Sequence, residues 1–243
     1  MSTRTILFVC LVALLSLWAV SGRTETDAVV DADGNWLEAH APLVDLEVYY
    51  ETLCPDSRNF IETQLYPTAN KVGHVMNIKV YPYGKATEVQ NPDKTWNYTC
   101  QHGPKECATN MLTTCALHFY SKHHHHRRHR LDKKLLDFIY CIENSEDPSN
   151  ATIQEACAKK EHFSWHKLSR CAEDKLGNEL EHRMGLKTEA LNPALNWVPW
   201  IVVNGVHNGT IQGEAVSDLL KLVCDTYTGA RPKACPTPLD DEE

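Results

Sequence analysis

The 243-residue sequence has no excess of positive charge, because 24 Lys and Arg residues are outnumbered by 32 Asp and Glu residues and the formal net charge is -8. A protein that binds nucleic acid or an anionic membrane surface by general electrostatic attraction needs the opposite balance. Internal repeats are also missing, which excludes a solenoid or another repeat architecture. The composition therefore predicts a globular protein without nucleic-acid partners.

Long apolar runs are nearly absent as well. The longest, Ile6–Val20, follows Arg4 and ends in small residues around Gly22. This run is shorter than the roughly 20 residues that a membrane-spanning helix needs, and its pattern is that of a signal peptide. We expect residues 1–22 to be removed, leaving a soluble protein of the secretory pathway with no membrane span; a retained signal anchor is the alternative.

Cysteine is plentiful, and its number becomes odd once Cys10 leaves with the signal peptide. The nine that remain are Cys54, Cys100, Cys107, Cys115, Cys141, Cys157, Cys171, Cys224 and Cys235. In an oxidising compartment eight of them can form four disulfides while one stays free. Eight cysteines allow 105 pairings, and the sequence does not choose among them. Cys224 and Cys235 are close along the chain, and the sequence favours them as a local disulfide pair.

The hydrophobic pattern predicts a domain of alternating strands and helices over residues 42–228. Four β-prone segments are predicted as strands: 43–50, 76–83, 197–203 and a short one around Thr210 and Ile211. A cysteine-rich block over about 100–182 is helical in pattern, with breaks near 121–130 and 147–149, and 214–226 predicts a last helix. This order is typical of an α/β fold with one mixed sheet.

Polar segments flank and interrupt this domain. Residues 23–41 predict a flexible leader, and residues 229–243 a C-terminal tail. The run from His123 to Arg130 predicts a solvated basic loop between helices, with a metal site or a pH sensor as the alternative. No metal is expected in the helical block, since its cysteines lack the short ligand spacings of structural zinc sites, although zinc remains the alternative for a block rich in Cys and His.

Cys54 is the candidate free thiol because of its position. Pro55 and Asp56 follow it and suit the first turn of a helix. A helix N-terminus favours the thiolate form, which is the form that attacks disulfides. Redox enzymes place a second cysteine three residues later to release the substrate from the mixed disulfide, but that position holds Ser57. The alternative is that Cys54 forms a disulfide with the helical block and another thiol is free.

Residues 100–115 contain the pattern Cys-Gln-His-Gly-x2-Glu-Cys-x2-Asn-x4-Cys, with eight fixed residues over sixteen positions. With this pattern the chain resembles the gamma-interferon-inducible lysosomal thiol reductase (GILT) family, from about Val44 to the last helix. The resemblance implies an α/β fold: a thioredoxin-like mixed sheet with a cysteine-rich helical insertion. It also implies a glycoprotein of the endosomal and lysosomal pathway that reduces protein disulfides at acidic pH, with a role in host defence.

The resemblance places the family's first catalytic cysteine at Cys54 and its second at Ser57. It also implies that Pro199 is the cis-proline held against the reactive thiol, with the backbone of Val198 pairing with an extended substrate. We therefore expect a thiol-disulfide oxidoreductase that acts on disulfide-bonded proteins without a cofactor and needs an external thiol, cysteine or glutathione, for turnover. A binding or chaperone-like module that captures substrates is the alternative.

Three Asn-x-Thr motifs, at Asn97, Asn150 and Asn208, predict N-glycosylation in the secretory pathway. All three are expected in loops or turns, where glycan-transferring enzymes reach the chain. They fit delivery to lysosomes and secretion equally well.

Overall fold

The computed structural model describes residues 29–30, 36–37, 41–121 and 131–237. The predicted signal peptide, the run from His123 to Arg130 and the acidic end of the chain lie outside these residues. The chain divides at Ala41 into two units, which are described separately. Every helix in the described ranges is too short or too polar to span a membrane.

The first unit contains a short antiparallel pair of strands, β1 (Val29–Val30) and β2 (Trp36–Leu37). The sequence between them includes Asp33-Gly34, a dipeptide that favours tight hairpin turns. The leader was predicted to be flexible. Each strand has two residues, which is too short to produce a visible alternation of apolar residues.

The described part of the second unit has five strands: β3 (Val44–Tyr50), β4 (Met76–Pro82), β5 (Thr87–Gln90), β6 (Trp96–Thr99) and β7 (Trp200–Val203). The main sheet has the order β4-β3-β7. In it β3 pairs parallel with β4, Val44 lying opposite Met76, and antiparallel with β7, Tyr49 lying opposite Trp200. The predicted mixed sheet is confirmed, with β3 at its centre.

The eight helices of the described ranges are α1 (Pro55–Phe60), α2 (Tyr66–Val72), α3 (Pro104–Tyr120), α4 (Lys133–Glu143), α5 (Ala151–Lys160), α6 (Trp165–Glu173), α7 (Lys175–Glu189) and α8 (Gly209–Thr226). A π-helical turn over Ile61–Leu65 joins α1 to α2, so the chain is helical without a break from Pro55 to Val72. The helical block lies between β6 and β7, as an insertion, and extends to Glu189 instead of ending near His182.

Two local expectations differ from the structure. The strand predicted around Thr210 and Ile211 is wrong, because both residues lie in the first turn of α8. The Asn208 side chain accepts a hydrogen bond from the Ile211 N–H at 2.9 Å, and this N-cap starts the helix where a hairpin was expected. The hairpin of β5 and β6 was not predicted at all.

The core encloses both faces of β3. Val44, Leu46, Val48 and Tyr50 point into the main hydrophobic cluster, and each is at most 1% exposed. Tyr49, on the opposite face, is buried in a smaller cluster with strand residues of β7. The central strand β3 is thus covered on both sides. Helices α1 and α2 connect it to its parallel neighbour β4, and β7 pairs with it antiparallel. This is the thioredoxin-like arrangement that the family resemblance implied.

Four disulfides connect eight of the nine cysteines after Cys10. They are Cys100–Cys107, Cys115–Cys171, Cys141–Cys157 and Cys224–Cys235, the last being the pair that the sequence favoured. Two of them join helices of the insertion to one another, α3 to α6 and α4 to α5. Since each bridge adds about 2–4 kcal/mol to the stability of a domain, the insertion is held covalently as well as by its core.

One buried carboxyl group predicts how the stability of the fold depends on pH. The Glu143 side chain is 1% exposed, and neither of its carboxylate oxygens has a hydrogen-bond partner among the described residues. Burial raises the pKa of Glu143 well above its ordinary value, although the nearby Arg58 guanidinium opposes the shift. As the pH rises, Glu143 therefore loses its carboxyl proton in the unfolded chain, where glutamate ionises near pH 4.3, before it does so in the native protein.

We expect Glu143 to lower the free energy of unfolding by up to about 1.4 kcal/mol per pH unit above about pH 4.3, until its carboxyl group in the native protein also ionises. Urea unfolding at a series of pH values between 4 and 7 measures this slope. The Glu143→Gln variant has no proton to lose and should show a shallower fall. The exposed Glu62→Gln is the control, and equal slopes for Glu143→Gln and the original protein would contradict the assignment.

Candidate thiol active site

Cys54 lies at the end of the four-residue loop that connects β3 to α1, and it is the N-cap residue of α1. Pro55 occupies the first helical position, as its missing N–H predicts. The Cys54 backbone N–H donates to the Glu51 carbonyl at 3.2 Å, and its carbonyl accepts from the Arg58 N–H at 3.0 Å. The Cys54 side chain is 8% exposed, and it is the only unpaired cysteine in the described part of the chain.

Ser57 follows Cys54 after one helical turn and is fully buried. Its hydroxyl oxygen accepts a hydrogen bond from the Glu51 backbone N–H at 3.3 Å. The hydroxyl thus holds the start of the loop to the first turn of α1. This is a structural role, and it is separate from any contact with a thiolate.

Side chains of α3 hold the middle of the same loop. The Asn110 carboxamide oxygen accepts from the Thr52 backbone N–H at 3.2 Å and from the Thr52 hydroxyl at 2.8 Å. Glu106 Oε2 accepts from the Leu53 N–H at 3.3 Å. Glu106 and Asn110 are four residues apart, so they lie on one face of α3. Two fixed residues of the family pattern therefore fix the backbone that leads to Cys54.

The turn before α3 brings His102 against this loop. The His102 backbone N–H donates to Glu106 Oε1 at 3.1 Å, and its ring Nδ1 lies 2.5 Å from Glu106 Oε2 and 3.5 Å from Glu51 Oε2. Gly103 follows with a φ of +85°, a conformation that glycine adopts without strain. The glycine of the family pattern therefore makes the turn that orients His102.

Glu51 is the buried carboxyl of the loop. It accepts from the Lys85 backbone N–H at 2.7 Å. Gly84 makes room for it, because a Cβ at that position would lie 2.3 Å from the Glu51 Cγ. Burial raises the pKa of the Glu51 carboxyl above its ordinary value, the hydrogen bond from Lys85 opposing the shift and the neighbouring Glu106 adding to it. Glu51 therefore keeps its proton to higher pH than an exposed glutamate does.

Three chemically different groups meet at this point. The Cys54 Sγ, one ring nitrogen of His102 and one carboxylate oxygen of Glu51 all lie within 4.8 Å of one another. His102 forms the exposed side of the group, whereas Cys54 and Glu51 are buried. A thiol beside an imidazole and a carboxyl group has neighbours that can accept or return its proton.

Pro199 stands at the same end of the sheet. The Val198–Pro199 peptide bond is cis, and Pro199 immediately precedes Trp200, which pairs with Tyr49. The antiparallel register therefore brings the start of β7 to the end of β3, where the Cys54 loop begins. Gln212 of α8 fixes this segment by donating to the Pro199 carbonyl at 2.9 Å and accepting from the Ile201 N–H at 3.0 Å.

The Asn110→Ala substitution tests the support that α3 gives to the loop. It leaves the buried Thr52 N–H without its acceptor, which costs about 1–3 kcal/mol. The Thr52 hydroxyl keeps the Glu106 carbonyl, at 3.5 Å, as an acceptor. We expect a lower melting temperature and faster alkylation of Cys54 by iodoacetamide, because the loop opens more often. The exposed Asn59→Ala in α1 is the matched control. Unchanged alkylation kinetics in a destabilised Asn110→Ala protein would contradict the positioning role.

The predicted glycosylation positions are all exposed, but only part of their predicted placement is correct. Asn97 lies within β6, so the expectation of a loop is wrong there. Asn150 and Asn208 are the N-cap residues of α5 and α8, and their carboxamide oxygens accept backbone hydrogen bonds. An N-cap uses the oxygen of the carboxamide and leaves its nitrogen, the atom that carries a glycan, directed away.

Sequence reasoning missed Glu51 as a member of the site and assigned no role to His102, Glu106 or Asn110. The four-residue spacing of Glu106 and Asn110 on one face of α3, with His102 in the turn before it, was the available signal. Nothing in the sequence indicated that this face meets the loop before Cys54.

Comparison with known proteins places these features in a family. Residues 45–161 match the family model of the gamma interferon inducible lysosomal thiol reductases. The gamma-interferon-inducible lysosomal thiol reductase of Carassius auratus is 37% identical over 201 residues, which cover 82% of this chain and 74% of that protein. GILT-like protein 1 of Drosophila melanogaster is 29% identical over 80% of this chain and 79% of its own length.

Among solved structures, Chlamydia trachomatis DsbA superposes with a TM-score of 0.48 and 12% identity, over 69% of this chain and 79% of the other. The similarity to the Carassius auratus protein covers most of both chains. The chain therefore belongs to the gamma-interferon-inducible lysosomal thiol reductase family.

Proposed function

We propose that this protein is a thiol-disulfide oxidoreductase that reduces or exchanges disulfides of protein substrates through Cys54. The observation that supports this most directly is the state of the cysteines. Among the described residues, eight cysteines are paired in disulfides and Cys54 alone is unpaired, at the start of α1 and beside His102 and Glu51. The relatives from Carassius auratus and Mus musculus carry the name thiol reductase, which supports the same reaction class.

His102 and Glu51 support catalysis at acidic pH in this proposal. A positive charge next to a cysteine favours the thiolate, and His102 is the group beside Cys54 that can carry one. The raised pKa of Glu51 keeps that carboxyl group neutral to higher pH, so that it adds less negative charge beside the sulfur. Acidic conditions therefore leave less negative charge next to Cys54 than neutral conditions do.

The reaction needs two external thiol molecules for each substrate disulfide. The Cys54 thiolate attacks one sulfur of the substrate disulfide and forms a mixed disulfide, and the other substrate sulfur leaves and takes a proton. Ser57 has no thiol with which to resolve this intermediate, so an external thiol such as cysteine or glutathione attacks the Cys54 sulfur and releases the substrate. A second external thiol then removes the first as a small disulfide and frees Cys54.

The segment before β7 is the proposed docking place for the substrate backbone. Val198 precedes the cis-proline and is itself mostly buried, whereas the neighbouring Trp197 is 45% exposed. An extended peptide that pairs with the Val198 backbone would place its disulfide near the end of β3 and cover the Trp197 ring. This favours unfolded or loosely folded proteins as substrates.

We place this activity in the secretory pathway, in lysosomes or outside the cell. The signal peptide pattern, the disulfides and the three exposed Asn-x-Thr motifs at Asn97, Asn150 and Asn208 support this location. The name lysosomal thiol reductase, which two vertebrate relatives carry, favours the lysosome and an associated role in host defence.

A capture module is the second candidate, and Ser57 is the observation that favours it. A protein that forms a mixed disulfide and has no resolving thiol holds its substrate until another thiol arrives. If external thiols reach the buried sulfur slowly, the same site binds substrates and protects them instead of turning them over.

The two candidates are separated by reduction of insulin at pH 5 with cysteine as the external thiol. For the reductase we expect a rate that rises with cysteine concentration above the rate of cysteine alone. Mass spectrometry of acid-quenched samples should show a Cys54–insulin mixed disulfide that disappears when cysteine is in excess. A mixed disulfide that persists in excess cysteine would identify the capture module, and reduction without any modification of Cys54 would contradict both.

A further inference from the structure

The cluster of Cys54, His102 and Glu51 also has the donor atoms of a metal site. A thiol sulfur, an imidazole nitrogen and a carboxylate oxygen lie within 4.8 Å of one another. In a tetrahedral zinc site the bonds are about 2.0–2.3 Å long, which places neighbouring ligand atoms about 3.3–3.7 Å apart. The three atoms therefore need to approach by about 1.5 Å at most.

The donor set selects the kind of cation. Calcium and magnesium take oxygen ligands almost entirely, whereas thiolate and imidazole together favour zinc and similar transition metals. Three protein ligands leave one tetrahedral position open, as in zinc sites that keep a water or another exchangeable ligand. His102 lies on the exposed side of the cluster and gives a cation its path from solvent.

The surroundings of the cluster resemble the outer shell of a metal site. A histidine that binds a metal through one ring nitrogen commonly donates its other N–H to a carboxylate, which fixes the ring. Glu106 Oε2, 2.5 Å from the His102 Nδ1, is such a partner when the cation binds through Nε2. The Glu51 carboxylate is held in turn by the Lys85 backbone N–H at 2.7 Å. Both side chains are thus oriented before any cation arrives.

We propose that Cys54, His102 and Glu51 form a three-ligand site for a thiophilic divalent cation, Zn²⁺, and that the bound cation withholds the Cys54 sulfur from disulfide exchange. Binding forms a sulfur–zinc bond and releases the thiol proton to solvent, with no change of oxidation state. Removal of zinc restores the thiol. The binding site stands on its own geometry, whereas its inhibitory effect rests on the proposed function.

Cobalt(II) is the probe, because its complexes with thiolates show intense near-ultraviolet charge-transfer absorption that complexes with imidazole and carboxylate lack. The full mature chain is titrated with Co²⁺ at pH 7 in thiol-free buffer, and Zn²⁺ is then added as a competitor. We expect one thiolate-bound Co²⁺ per chain, displaced by Zn²⁺. His102→Gln and Glu51→Gln should each weaken Co²⁺ binding by about tenfold or more, and Cys54→Ser should remove the band.

The exposed His74→Gln, at the opposite end of the sheet, is the control and should bind Co²⁺ as the original protein does. Alkylating Cys54 in the original protein should also abolish the band, which tests the site even if a variant fails to fold. The site is refuted if the original protein shows no band, or if His102→Gln and Glu51→Gln bind Co²⁺ unchanged, since the thiol would then act alone.

Insulin reduction measured in parallel tests the inhibitory effect. At pH 7, and with the free Zn²⁺ concentration calculated after binding by cysteine and insulin, we expect Zn²⁺ to inhibit with a midpoint equal to its dissociation constant from the cobalt competition, and EDTA to restore the rate. Zinc that binds at this affinity without slowing reduction would refute the inhibition. A protein that binds Co²⁺ through Cys54 but never reduces insulin would contradict the proposed function and leave the metal site standing.

Discussion

The Cys54→Ser variant is expected to lose all protein-dependent disulfide reduction, leaving only the rate of the external thiol. A serine hydroxyl does not attack disulfides, and the other eight cysteines that the structure describes are already paired. Because Cys54 forms no disulfide and the substitution changes one atom, the melting temperature should stay nearly constant. Insulin reduction at pH 5 and thermal unfolding of the same preparation measure the two quantities.

Alkylation provides the matched control for this variant. Iodoacetamide treatment of the native protein should modify Cys54 and abolish reduction to the same extent. A Cys54→Ser protein that still reduces insulin above the background rate would show that another cysteine performs the chemistry, most directly one released from a disulfide. Mass spectrometry of that protein after alkylation would then identify the sulfur.

The Ser57→Cys variant is expected to reduce insulin at least about tenfold faster at limiting external cysteine, because an intramolecular thiol attacks at a far higher effective concentration than a dissolved one. The new thiol would lie one helical turn from Cys54, where dithiol oxidoreductases carry their resolving cysteine. The mixed disulfide with substrate should then become undetectable in acid-quenched samples. The dependence of the rate on external thiol should become shallower.

Ser57→Ala separates the effect of the thiol from the effect of losing the hydroxyl. The alanine variant removes the hydroxyl oxygen that accepts from the Glu51 N–H and adds no sulfur. The cysteine variant replaces that oxygen with a sulfur, which is a weaker acceptor. We expect it to lose about 1 kcal/mol of stability and to keep the external-thiol dependence of the original protein. If Ser57→Cys behaved like Ser57→Ala, resolution would not limit turnover and the monothiol scheme would be wrong.

The sequence predicted those parts of the fold that local patterns determine. The strands around Val44–Tyr50 and Met76–Pro82 follow from their apolar alternation, and the start of α1 follows from Pro55. The pattern around Thr210 failed because an Asn-Gly pair fits a turn and a helix cap equally well, and only the backbone shows that Asn208 is the cap. Local sequence patterns therefore predicted which helices and strands form better than they predicted where each one begins.

The site was predictable only where one stretch of chain holds it. Cys54 and Ser57 share a helical turn, so their relation was visible in the sequence. Asn110 is 58 residues away from Thr52, to which it is hydrogen-bonded, and Gln212 reaches Pro199 from a different helix. These contacts depend on how α3 and α8 pack against the sheet. The spacing of apolar residues shows which face of a helix is buried, but it does not show which loop the polar side chains of that helix will contact.

The Cys100–Cys107 bridge gives this protein a vulnerability of its own. The bridge spans the turn that presents His102, and its two half-cystines are 9% and 5% exposed. The proposed reaction needs an external thiol, and the same reagent attacks disulfides such as this one. We therefore expect the rate at which the protein is inactivated in concentrated cysteine to follow how often this turn opens and exposes the Cys100–Cys107 bond to solvent.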